Sequence, residues 1–257
     1  MQFISRSQSM KSTGLSYIGG INTSSKIMKN LKKMNTDTYI IYLAPSTLSG
    51  YNVCPMASEG CIAACLSNSG HNRIDIKGII NNARIKKTKM FFEDRQFFND
   101  WVIAEITAHK QNSLAKGHEF SVRINGTSDI NPELISQNNS NLFQLFPDTK
   151  FYDYTKVLNR NKLLNKYENF DLTFSYNGTN WNDCEIALST GMRVAVVFEK
   201  VPEWFMGIQV VDGDSTDLRY LDEPNVIVGL KFKLVKTKVD FSKQKFIIEK
   251  NNPNCTY

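Results

Sequence analysis

From Glu119 to Lys200 the chain alternates between short apolar runs and amphipathic stretches. "EFSVRING", "KFYDYT", "FDLTFSYNG" and "RVAVVFEK" are rich in β-branched and aromatic residues and close on Gly or polar clusters, so each predicts a strand. The stretches between them, residues 131–147, 157–167 and 181–191, predict helices. Pro132 suits the first turn of one and Gly191 the end of another. Upstream, Thr38–Pro45 reads as the first strand, a helix opens near Ile62–Leu66, and residues 84–90 and 93–115 read as two more helices. Strand and helix alternating over short connections predict parallel βαβ units. The expected fold is α/β, a (β/α) TIM-barrel-like architecture, whole or incomplete. After Lys200 the runs shorten to "IQVVDGD", "DLRYLD" and "NVIVGLKFK", which predict a β-rich C-terminal section. Residues 1–35 are Ser-, Asn- and Lys-rich and predict a loosely ordered arm on a single domain spanning 1–257, with one short helix near Lys26–Lys33.

Composition narrows the classes. A hydrophobic share of 41% with 22% charged residues is that of an ordinary globular chain. No apolar run nears the roughly 20 residues of a membrane span, and the N-terminus lacks the apolar core of a signal peptide. The chain therefore reads as cytoplasmic, with no membrane partner. The net charge of +6 keeps nucleic acid among the candidate partners. "ARIKKTKMFFEDRQFF" mixes basic and aromatic residues and is a candidate nucleic-acid face. The preferred reading is an amphipathic helix with its basic residues outside and Phe inside.

Cysteine changes the picture more. Three of the five cysteines, Cys54, Cys61 and Cys65, fall in one polar loop with spacing C-x6-C-x3-C. A cytosolic chain rarely uses disulfides, and an odd count suits them poorly. Residues four apart share a helix face, so Cys61 and Cys65 are expected to point the same way, with Cys54 brought alongside by the preceding loop. Cys184, opening the helix after "FDLTFSYNG", is the candidate fourth ligand. Cys255, the third residue from the C-terminus, ranks last. Neither spacing is the paired knuckle of structural zinc, and the three histidines form no HxxxH pair, although His71 lies near the loop. Thiolates spread more widely suit a [4Fe–4S] cluster, with zinc and no metal as the alternatives.

Several stretches in order resemble the phage "gene product 88" family of unknown function: "NVCPMASEGCIAACLSNSG", "AR" then "KT" at 83–88, "VRINGTSDI", "FPDTKFYDYTK", "FDLTFSYNGTN" and "VVDGDSTDLRYLDEPNVIVGLKFK". That resemblance implies a protein of the host cell cytoplasm. The chain is also similar, more distantly, to radical S-adenosylmethionine enzymes. These carry three cysteines in the loop after the first strand of a partial or full (β/α) barrel. That resemblance implies a [4Fe–4S] cluster with S-adenosylmethionine on its open iron. The spacing there is C-x3-C-x2-C, and no Gly-Gly-Glu-like segment follows the second strand here. A fourth cysteine ligand would close the iron.

In parallel α/β folds ligands lie at the carboxyl ends of strands. The polar tips "NGTSD" and "DYTK" offer Asn125, Ser128, Asp129, Asp153 and Lys156 as binding residues for a small-molecule ligand. Asp129 is equally suited to cap the helix starting near Asn131. Arg123 and Lys156 would need a carboxylate partner such as Asp129 or Asp153. "VDGDSTD" gathers Asp212, Asp214 and Asp217, which suits a divalent cation or a hydrolase. The preferred reading there is a tight Asp-Gly turn of hairpin type. The leading expectation is an iron–sulfur protein with redox or radical chemistry at the strand ends. The alternative is a nucleic-acid-binding or accessory phage protein with a structural metal.

Overall fold

The computed structural model describes residues 5–65, 75, 78–233 and 245–257. The chain divides into two compact units, Met1–Cys54 with Asp75–Phe151 and Pro55–Ile74 with Tyr152–Tyr257. His71 lies outside the described residues.

In the first unit, β1 (Gly19–Ile21) pairs antiparallel with β2 (Thr36–Ile41), and β2 pairs parallel with β3 (Glu119–Arg123). All six residues of β2 are buried, as a strand covered on both faces requires. The segment read as an arm holds α1 (Arg6–Thr13) and α2 (Ser25–Met34), besides β1. Ser5 and Ser24 cap the two helices through their hydroxyls. The cysteine segment contributes α3 (Glu59–Ala63) to the second unit. Two long helices follow in the first unit, α4 (Ile79–Glu93) and α5 (Arg95–Ala115), broken only at Asp94. Phe97, Phe98, Trp101, Val102 and Ile106 of α5 are buried, so the apolar side expected from the spacing is the packed one.

The long helix expected over 131–147 is absent among the described residues. The chain makes a 3-10 turn at Pro132–Leu134, a hairpin of β4 (Ser136–Gln137) and β5 (Ser140–Asn141), and a short α6 (Leu142–Leu145). Asn138 and Asn139 both adopt positive φ, 50° and 63°, which turns the chain back. Asn141 and Gln144 then form a capping box.

Strand β6 (Lys150–Thr155) begins in the first unit, where Lys150 and Phe151 pair parallel with Ser121 and Val122, and ends in the second. A 3-10 turn at Leu158–Asn161 and the short α7 (Lys162–Lys166) replace the single helix expected over 157–167. In the second unit, β7 (Phe170–Ser175), α8 (Trp181–Ser189) and β8 (Arg193–Phe198) form a parallel βαβ unit. The C-terminal section is β-rich as expected, with β9 (Trp204–Phe205), β10 (Ile208–Asp212), β11 (Ile227–Lys231), β12 (Ile247–Ile248) and β13 (Cys255–Thr256). From β6 the order runs β6-β7-β8-β11-β10-β9-β13, with β12 added to β8. The "DLRYLD" run, read as a strand, holds a 3-10 turn at Arg219–Leu221. β7 stops opposite Ala195, and β12 pairs further along β8, with Val197 and Phe198.

The protein is thus α/β, with parallel strand pairs in each unit. In neither unit do the pairings among the described residues close into a ring. No described helix is long and apolar enough to cross a membrane.

Candidate functional site

The cysteine segment is held differently in each unit. In the first, Asn52 Oδ1 accepts the Cys54 N–H at 2.9 Å. The Cys54 sulfur accepts the Ser46 N–H at 3.4 Å and lies 3.9 Å from the Thr127 carbonyl. The Val53 carbonyl accepts the Asp129 N–H at 2.7 Å. Ser46 follows β2 and Thr127 follows β3, so this sulfur sits at the carboxyl ends of two parallel strands. Gly126 makes that approach possible. Its N–H reaches the Ile41 carbonyl at 2.9 Å, and a Cβ there would meet that oxygen at 2.7 Å.

In the second unit the segment is tied to the loop after β7. Ser58 Oγ accepts the Cys61 N–H at 3.1 Å, capping α3, and donates to the Asn177 carbonyl. The Asn177 side-chain amide donates to the Met56 carbonyl at 3.1 Å. Its Oδ1 accepts from the Thr179 N–H, the Thr179 hydroxyl and the Asn180 N–H, at 3.0, 3.0 and 3.2 Å. Asn180 returns the contact, its Oδ1 accepting the Asn177 N–H at 2.7 Å, while its carbonyl accepts the Cys184 N–H of α8 at 3.1 Å. One loop therefore carries the Cys61 segment and the Cys184 helix together. Gly178, at φ 103°, belongs to it, and a Cβ there would stand 2.9 Å from the Phe246 backbone nitrogen.

The thiols differ in character. Cys54, Cys61 and Cys65 are half-buried, whereas Cys184 is fully enclosed. Burial pushes the Cys184 thiol up to about 12; Asp183 and Glu185 add to this and Lys156 opposes it. Helix α3 ends at Ala63, so Cys65 lies past its C-cap Ala64, with its N–H on the Ile62 carbonyl at 3.3 Å. The shared helix face expected for Cys61 and Cys65 is therefore not formed. Cys255 sits in β13, paired with Phe205. Among the described residues, no three His, Cys, Asp or Glu side chains stand together as a metal ion requires.

The polar strand tips divide between the units. In the first, Asn125 Oδ1 accepts from the Ser128 hydroxyl at 2.8 Å and the Ile130 N–H at 2.9 Å, and its amide donates to the Ile130 carbonyl at 3.1 Å. Asn125 and Ser128 thus shape their own loop. Asp129 is buried beside them, but Asn131 caps the turn at Pro132–Leu134. In the second unit, Asp153 is buried within β6, and Lys156 follows that strand within electrostatic reach of Cys184.

The Asp212 loop is no cation loop. Asp212 Oδ1 accepts the Asp214 N–H at 2.8 Å, and Asp214 accepts the Lys231 N–H at 2.8 Å and pairs with Lys233 at 3.4 Å. Asp217 is fully buried and accepts from the Tyr152 and Tyr154 hydroxyls at 3.1 and 3.2 Å. The three carboxylates are committed to separate partners. Nor is the turn a hairpin, since β10 and β11 run parallel.

Sequence reasoning passed over Asn177 and Glu105. It placed Arg84 and Lys87 outside on a basic face, yet both are buried. Only the helical spacing of the two residues with Phe91 and Thr88, also buried, could have signalled this.

These features define an α/β protein whose half-buried cysteines and polar loops follow the carboxyl ends of parallel strands. The Gene product 88 family model matches residues 19–248, and the chain belongs to that phage family. Neither the curated proteins nor the solved structures include a match to it.

Proposed function

We propose that this phage protein holds an iron–sulfur cluster of [4Fe–4S] type on Cys54, Cys61 and Cys65, working in the host cytoplasm. The observation that carries the reading is the anchoring of the segment at both ends. Cys54 accepts a backbone N–H on its sulfur, and the Cys61 turn is pinned to the Asn177 loop. Thiolates are the usual cluster ligands, and N–H donors to the ligand sulfurs tune its potential. Three half-buried thiols are the donor type of that set, although among the described residues they do not stand together. Cys184 fits it less well, because a ligand must shed its proton and this enclosed thiol resists doing so.

On this reading Cys184 stays a thiol, and one coordination position is open to a small molecule. S-adenosylmethionine is the ligand that the resemblance to radical enzymes implies. Of the strand-tip residues, Asn125 and Ser128 spend their groups on their own loop, so Lys156 and Asp153 are the first expected contacts. The parallel runs β2-β3 and β7-β8-β11 would then be parts of an incomplete (β/α) barrel. The nucleic-acid alternative is weaker, because burial withdraws Arg84 and Lys87 from the basic face it needs.

The test is anaerobic preparation with iron and sulfide. The reading expects brown protein absorbing near roughly 400 nm, with a spectral change on adding S-adenosylmethionine. Colourless protein carrying one zinc would overturn it.

A further inference from the structure

Burial withdraws Arg84 and Lys87 from the surface of α4, but the first unit carries another basic face. Residues 1–36 hold six Lys and Arg and no Asp or Glu, so the whole net charge of +6 lies there and the rest of the chain is balanced. Four of the six, Lys26, Lys29, Lys32 and Lys33, are on α2 at spacings that keep them on one side of a helix. Lys29, Lys32 and Lys33 are exposed. The side of α2 that holds Ile27 and Asn30 is buried, and the Asn30 amide donates to the Thr38 hydroxyl of β2 at 3.0 Å.

The end of α2 meets the end of α5. Asn35 Nδ2 donates to the Gly117 carbonyl at 2.9 Å, and the Asn35 carbonyl accepts the Glu119 N–H at 2.9 Å. The exposed Lys116 therefore stands at the same end of the unit as Lys32 and Lys33, by the amino ends of β2 and β3. Among the described residues none of these three lysines pairs with a carboxylate. Asp37 is buried, with Asn22 and His118 on its oxygens, and residues 106–118 contain no acid. Glu119 is the one exposed carboxylate of these segments. The helix dipole favours a cation at each helix end, but α2 carries two in its last turn and two more before it.

Net charge gathered on one part of a chain fits a polyanion. The buried side of α2 is packed on β2, so it is not free to enter a bilayer. The helix has no aromatic residue on which an unpaired base could stack. We propose that the Lys32, Lys33 and Lys116 surface docks duplex nucleic acid, each lysine meeting a backbone phosphate and reading no sequence. Lys26 and Lys29 extend it along α2. It contains no part of the cysteine segment and stands with or without a cluster.

Fluorescence anisotropy of a short labelled duplex of mixed sequence, titrated with the full chain, tests it. Between about 50 and 200 mM salt, log Kobs should fall with log salt at a slope of about −3 or steeper. Replacing Lys32, Lys33 and Lys116 together by Gln should weaken binding at least about tenfold at the low-salt end and flatten the slope by about three. A control with Lys89→Gln, Lys231→Gln and Lys250→Gln loses the same charge at exposed positions elsewhere and should bind close to wild type. Should the first variant fail to fold, Lys32→Gln and Lys33→Gln made singly should each flatten the slope by about one. No binding to the duplex, equal effects in variant and control, tighter binding to a single strand of the same length, or a preference for phosphatidylserine vesicles would overturn the proposal.

Discussion

The side-chain amide of Asn177 donates to the carbonyl of Met56 at 3.1 Å, joining the loop after β7 to the segment that leads into Cys61. The same side chain accepts three further hydrogen bonds within its own loop. Asn177 is therefore the hub of the cysteine segment in the second unit. Replacing it by Ala leaves several partly buried donors and a carbonyl unsatisfied, at a cost of about 2 kcal/mol or more. Urea unfolding of Asn177→Ala should show that loss, and Cys61 should alkylate faster in the native variant. Unchanged stability with unchanged alkylation would mean that the loop is held by other contacts.

Cys184 gives a pH dependence with a definite sign. Its thiol ionises at about 12 in the folded chain, against 9.0 for an ordinary cysteine. Between those values the unfolded chain has lost a proton that the folded chain keeps, so stability falls as pH rises above about 9. Cys184→Ala should remove that part of the slope. In the native wild type at pH 8, iodoacetamide should reach Cys61 well before Cys184. Prompt labelling of Cys184 would contradict its enclosure.

Lys87 works in the opposite direction. Its folded value of about 8 lies below the ordinary 10.5, so below pH 8 the full cost of charging a buried amine is present. Stability should rise with pH between about 8 and 10.5 as the folded amine discharges first. Relative to wild type, Lys87→Met should be more stable at pH 7 by up to about 3 kcal/mol, and the difference should close toward pH 10.5. Parallel stability curves for the two proteins across that range would refute a depressed Lys87.

The buried Asp217 holds the Tyr152 and Tyr154 hydroxyls of β6. Asp217→Ala should cost about 2 kcal/mol or more, since it removes the acceptor of one buried and one half-buried hydroxyl, and Tyr152→Phe or Tyr154→Phe about 1 kcal/mol each. A double-mutant cycle between Asp217 and Tyr152 should show coupling; additive losses would mean the hydrogen bond contributes nothing.

Much of the fold was legible because period and turn chemistry agreed. β6 was read to the residue, and β3, β7 and β8 were read with their ends two or three residues too long, because the polar tips belong to loops rather than strands. The stretch from 131 to 147 was misread because its apolar residues suit a helix while Asn138 and Asn139 reverse the chain between them. The cysteines were legible as a group, but not their differences. Spacing cannot show that α3 stops before Cys65, or that packing encloses Cys184. Lys87 was illegible for a related reason: a lysine on an amphipathic helix reads as solvated, and only tertiary packing reveals a buried one.

The most direct test of the central claim is the iron and acid-labile sulfide content of anaerobically reconstituted wild type beside Cys54→Ser, Cys61→Ser, Cys65→Ser and Cys184→Ser. The account predicts close to four irons and four sulfides per chain in the wild type and in Cys184→Ser, the composition of a [4Fe–4S] cluster, with severe loss in the other three. Wild-type protein without iron and sulfide, or a Cys184→Ser variant as depleted as Cys61→Ser, would contradict it.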